Sequence, residues 1–150
     1  MSFSHTNKVS FTYTAGGVTA SKNVSKTETS GAEINLSEAV TTDASTATTP
    51  IDIDHFQIDD ASQAVSVYIR IDGFDCELKG GASGAVSMIT TLTDGEPYVW
   101  SYNGGTNFPI GNDNPLEDNT DMLKIVPKSD AGLETAGTLT VKVLYDPTIA

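Results

Sequence analysis

The residues of this 150-residue chain that could do chemistry are few, and each set lacks a partner. Gly81-Ala82-Ser83-Gly84-Ala85 comes nearest to a nucleophile elbow, the strained strand-to-helix turn that exposes a serine hydroxyl. Ala85 stands where that motif needs its last glycine, and the hydrolases that use it carry their histidine after the serine. Both histidines, His5 and His55, precede Ser83. They are also far apart in sequence, with no Glu-x-x-His or cysteine beside them, so zinc-ligand spacing is absent. His55, between Asp54 and Phe56, reads as a solvent-facing strand residue. Asp113, Glu117, Asp118 and Asp121 supply oxygen ligands of the kind calcium takes, without the Asp-x-Asn-x-Asp-Gly register of a dedicated loop. They read as a solvated acidic loop. Carboxylate pairs for glycoside hydrolysis have no sequence signature that would single one out here. The sequence thus predicts no catalytic, cofactor-binding or metal site, and a protein that is not an enzyme.

One stripe invites a ligand. Tyr98, Trp100 and Tyr102 alternate with Val99 and Ser101 and so share one face of a strand. Aromatic rings on an open sheet face can stack on sugars, which would make the chain a carbohydrate-binding module. Large aromatics that alternate on a strand more often fill a core, and Trp100 is the only tryptophan available to do so. The core reading is preferred.

The strands that must position these residues are legible from alternation. Val65 to Leu78 reads VSVYIRIDGFDCEL, two alternating runs around Asp72-Gly73, the dipeptide most favoured in tight hairpins. A two-residue primed turn there sets Ile71 opposite Phe74, Ile69 opposite Cys76 and Val67 opposite Leu78 on one apolar face. The other face receives Arg70 opposite Asp75, Tyr68 opposite Glu77 and Ser66 opposite Lys79. Cys76, the only cysteine, is then a small buried hydrophobe that can form no intrachain disulfide. Val9, Phe11 and Tyr13 alternate with hydroxyl residues, and Gly16-Gly17 turns the chain into a second run from Val18 to Val24. This ribbon, residues 1–24, reads equally as a half-buried edge or as an arm lying on a neighbour, with Val9, Phe11 and Tyr13 as the contact.

Ala32, Ile34 and Leu36 make a third short strand, and residues 37–50 read as a loop or strand crossing. Ile51, Ile53, Phe56 and Ile58 return the core. Val86, Met88 and Leu92 follow a glycine-rich connection, and Asp94-Gly95 marks a turn. Met122 to Val126 and then Leu139, Val141, Val143 and Tyr145 form the last strands. About nine to eleven short strands without a helical period predict one antiparallel β-sandwich domain over residues 1–150, jelly-roll-like, with an N-terminal β-ribbon arm.

Bulk composition narrows the partners. A net charge of −12 with only eight scattered Lys and Arg opposes binding to nucleic acid or an anionic membrane. No apolar run approaches a membrane span or a signal peptide, so the two Asn-x-Ser sequons at Asn23 and Asn35 are read as chance.

From Pro97 onward, the text PYVWSYNGGTNFPIGNDNPLEDNTDMLKIVPKSDAGLETAGTLTVKVLYDP resembles the C-terminal half of small β-rich virion proteins of tailed bacteriophages. Shared features are a strand with Tyr or Trp, a Gly/Asn/Pro loop, a run like MLKIV and a last strand ending in LYDP. The resemblance implies a capsid decoration or cement protein, made in the host cytoplasm and carried on the head surface. Its implied partners are the major capsid protein or other virion subunits, and copies of itself, with a trimer favoured. The alternative is a carbohydrate-binding, host-recognition module of a fibre or tail.

Overall fold

The computed structural model describes residues 1–42, 51–53, 64–82, 87–102, 121–128 and 135–146. Among them there is no helix, and the ten strands are all antiparallel to their neighbours. They are β1 Phe3–Ala15, β2 Val18–Ser30, β3 Ala32–Thr41, β4 Ile51–Ile53 and β5 Ala64–Asp72. The remainder are β6 Cys76–Ala82, β7 Ser87–Leu92, β8 Tyr98–Ser101, β9 Asp121–Pro127 and β10 Ala136–Tyr145. One sheet has the order β3-β10-β5-β8, a second has β4-β9-β6-β7, and β1 pairs with β2 alone. From β3 onward, only β6 and β7 are consecutive strands within one sheet; every other step crosses to the opposite sheet.

The two inner faces close on one core. Val67, Ile69 and Ile71 of β5 and Leu139, Val141 and Val143 of β10 meet Cys76 and Leu78 of β6, Leu92 of β7 and Ile125 of β9. These are the residues that period-2 alternation assigns to the apolar face, and their burial is the main force holding the sheets together.

The Asp72-Gly73 hairpin is not formed. β5 pairs with β10 and β8, whereas β6 pairs with β9 and β7, so each strand already has two neighbours and the short link 73–75 is a corner between sheets. A primed turn needs positive φ at its first central residue, and type I′ at both; Gly73 has φ +127° but Asp72, the first, is not positive. The expected opposite-charge pairs are replaced. Arg70 stands opposite Thr140 and donates to Asp72 Oδ1 of its own strand from Nε at 3.0 Å, and Lys79 pairs with Glu77 at 3.0 Å. Carboxylates tie the corner to the turn after β7. Gly73 N donates to Asp94 Oδ1 at 2.7 Å, Asp94 N to Asp75 Oδ1 at 2.8 Å, and Gly95 N to the Ile71 carbonyl at 2.8 Å.

Other expectations are refined. The ribbon is longer than predicted, reaching Ser30, because its second half pairs through polar residues that alternation of apolar residues cannot reveal. β3 continues to Thr41 through a stretch read as a loop, held by pairing with β10 and by burial of Val40. Gly80 and Gly81, read as part of a connection, lie in β6 opposite Leu123 and Met122. A register shift at Leu78/Lys79 turns Met88 outward and lets Ile89 pack on the core, against the expected face. Gly16 and Gly17, at φ +58° and +81°, form the predicted turn, and Asp94-Gly95 forms the other. Phe56, Ile58 and Val86 lie outside the described residues.

Substitution tests how tight the corner is. A Cβ on Gly73 would sit 2.6 Å from the Ala136 carbonyl oxygen and 2.7 Å from Gly137 Cα. One on Gly137 would sit 2.6 Å from the Asp72 oxygen and 2.9 Å from the Phe74 ring. Gly73→Ala and Gly137→Ala should therefore each cost more than about 2 kcal/mol in urea unfolding, since backbone atoms cannot yield as side-chain ends do. Gly17→Ala, at a positive φ but in open space, should cost only about 1 kcal/mol. Equal effects at Gly17 and Gly73 would show that the corner is not tight.

Burial pushes the Cys76 thiol from its ordinary 9.0 up to about 12, with Asp75 adding to the effect and Lys128 opposing it. Between those values the unfolded chain loses the proton and the native chain keeps it. This contribution to stability is whole below pH 9.0 and is lost as pH rises towards about 12. Cys76→Ala should show a shallower loss of unfolding free energy over that range, and the native wild-type thiol should resist alkylation. Rapid labelling of the folded protein would contradict both.

Candidate interaction surface

The only polar constellation with site-like geometry among the described residues lies where the ribbon meets the body. In β1 the odd residues Phe3, His5 and Asn7 face one way, together with their β2 partners Ser30, Glu28 and Lys26. That underside lies across the outer face of sheet β3-β10-β5-β8, at the end where β3 and β5 start and β8 and β10 finish. Ser30 Oγ donates to the Tyr145 carbonyl at 2.7 Å, at the end of β10. His5 lies between β3 and β5, with Nε2 2.9 Å from Glu33 Oε1 and Nδ1 3.3 Å from Ser66 Oγ. Asn7 Nδ2 reaches Ser101 Oγ of β8 at 2.6 Å, and Lys26 Nζ donates to the Tyr102 carbonyl at 2.5 Å while pairing with Glu28. The ribbon thus starts at β3, crosses β10 and β5, and leaves the sheet past β8.

Beneath it is a cleft of about 270 Å³, lined in part by His5, Asn7, Glu33, Ser66, Tyr68 and Lys142. Ser66, His5 and Glu33 have the composition of a hydrolytic triad. The serine is wrongly placed for that chemistry, being 1% exposed near the start of β5, with β10 on one side and β8 on the other. A serine within a paired strand has no sharp turn to present its hydroxyl. What the arrangement does chemically is join three strands: β1 gives the ring, β3 the carboxylate, β5 the hydroxyl. Sequence reading missed it because these residues are 28 and 61 positions apart and none belongs to a motif. The legible signal was only that His5 and Asn7 share the ribbon face of Val9, Phe11 and Tyr13.

Past β8 that face changes character. Val9 pairs with Val24, Phe11 with Lys22, Tyr13 with Ala20 and Ala15 with Val18, all on the underside. Val9, Phe11, Tyr13, Val18 and Val24 are 54% to 69% exposed, and the Phe11 and Tyr13 rings lean together with centroids 6.0 Å apart. The upper face carries only Ser10, Thr12, Thr14, Thr19, Ser21 and Asn23 over the same length.

The aromatic stripe is divided. Trp100 lies opposite Val67 and Tyr98 opposite Ile69, so both rings point inward and pack, half-buried, on the core. Burial also raises the Tyr98 hydroxyl pKa. Tyr102 is exposed beyond the end of β8. The three rings do not form a strip on the outer face.

Among the described residues no three His, Cys, Asp or Glu side chains gather to hold a metal. His55, Ser83 to Ala85, Asp113, Glu117 and Asp118 lie outside the described residues, and Asp121 opens β9.

If the polar contacts hold the ribbon base, His5→Ala and Asn7→Ala should loosen it while the body keeps its core. The loss of a half-buried hydrogen-bonding side chain costs about 1 kcal/mol, more where a buried hydroxyl such as Ser66 loses a partner. Amide exchange in β1 and β2 near residues 3–7 and 26–30 should quicken roughly fivefold or more, with exchange in β5 and β10 unchanged. Unaltered ribbon exchange in the double variant would mean that these contacts do not hold the base. No family model matches this chain, and no curated protein or solved structure matches it either.

Proposed function

We propose that this protein is a non-enzymatic virion component, a capsid decoration or cement protein that binds and stabilises a bacteriophage head. The observation that carries the reading is the ribbon, whose apolar underside runs beyond the sheet it crosses. An isolated two-stranded ribbon is at best marginal in water, so a surface of this kind is built for contact. The eight-strand wiring, in which every step but one crosses between sheets, agrees with a jelly-roll-like sandwich. The resemblance of residues 97–147 to tailed-phage virion proteins supports the same class. In this reading the partners are the major capsid protein or other virion subunits and further copies of the chain, a trimer being favoured, on the outer surface of the capsid.

A cement acts through area. Interfaces of standard size bury on the order of 1,200 to 2,000 Å² each, and their sum over a closed lattice resists dissociation far better than one contact does. The glycan-binding alternative draws less support, because two of its three rings pack on the core.

The test is occupancy. The chain should be found in purified particles, and removing residues 1–24 should lower its copy number on heads and the temperature at which heads open. If acidic groups of the body meet basic ones on the shell, added salt should release it, since exposed pairs are screened beyond about 8 to 10 Å at physiological ionic strength. Particles that never contain the chain would overturn the reading; full occupancy without the ribbon would remove the ribbon from it.

A further inference from the structure

The ribbon tip has both a shape and a charge that call for a particular occupant. β1 and β2 are thirteen residues each, and the contacts with the body end near Asn7 and Lys26. The remaining eight residues per strand carry the ribbon about 25 Å past the sheet at the usual strand rise. Five exposed apolar side chains on its underside present on the order of 500 Å² of surface, near the upper end of what a monomer leaves bare.

Charge selects what covers it. Residues 1–30 hold Lys8, Lys22 and Lys26 against a single carboxylate, Glu28, a net of +2. Since the whole chain is −12, residues 31–150 carry −14. The ribbon is thus the basic part of a strongly acidic molecule. Its underside is also continuous with the polar strip that already fits the outer face of this chain's own sheet.

We infer that the tip docks on the acidic body of a second copy of this chain, continuing over the neighbour the crossing that its base makes at home. The contact is heterologous: ribbon on one copy, body on the next, so the second copy's ribbon is free to reach a third. Rotation that closes gives a ring of few subunits. This deepens the oligomer part of the proposed function and rests on that reading only there, because self-association needs no shell.

Sedimentation velocity of the purified full chain tests it. The wild type should be oligomeric at micromolar concentrations and dissociate with added salt. Val9→Ser/Phe11→Ser/Tyr13→Ser changes exposed side chains only, and should weaken association roughly tenfold or more while leaving the melting of the body unchanged. Lys22→Glu, on the underside opposite Phe11, separates two ways of covering the tip. Docking on an acidic body predicts weaker association, whereas tip packed against tip, where the reversal only exchanges one like-charge pair for another, predicts unchanged association and would overturn the assignment. A wild type that stays monomeric up to about 100 µM at low salt would also overturn it and leave the tip to a different protein. That outcome is independent of head occupancy, so the inference and the cement reading fail separately.

Discussion

Two glycine backbones in contact allow this chain to fold as it does. Gly73 and Gly137 lie so close that a Cβ on either would meet backbone of the other segment, or the Phe74 ring, at under 3 Å. At this point β5 ends in one sheet and β6 begins in the other after a link of only three residues. Because β10 and β8 take both edges of β5, the corner carries the chain into the opposite sheet and sets Val67, Ile69 and Ile71 across the interior from Cys76 and Leu78. The core is therefore fixed by the corner. Asp75 and Asp94 complete it by accepting the N–H groups that the turning backbone leaves without a ladder partner.

The ribbon obeys a different physics. Its base adheres to the outer face of a sheet through hydrogen bonds, each of modest net worth because the same groups are solvated before docking. Its tip carries apolar side chains that nothing among the described residues covers. One strand pair thus combines a polar attachment with an apolar, exposed surface.

Among the described residues, the side chains of chemical interest are tied into the fold. The serine, histidine and glutamate that come together are used to join strands, the one cysteine is protonated and buried, and two of the three stripe aromatics support the core.

Alternation in the sequence determined which residues are inside. Val67, Ile69, Ile71, Phe74, Cys76, Leu78, Leu139, Val141 and Val143 are buried, as a period of two requires, and Gly16-Gly17 made the first hairpin unmistakable because only glycine takes both positive φ values freely. Alternation does not say which strand lies beside which. A hairpin and a corner between sheets bury the same side chains, so Asp72-Gly73 looked like one and is the other; the choice was made by β10 and β8, which occupy both edges of β5 from far along the chain. The ribbon clamp was hidden for the same reason, since His5, Glu33 and Ser66 carry no local pattern and meet only once the strands are packed. Side-chain periodicity is a local property of the backbone and is written in neighbouring residues, whereas strand order is settled by the burial of whole faces against one another, which no short stretch of sequence contains.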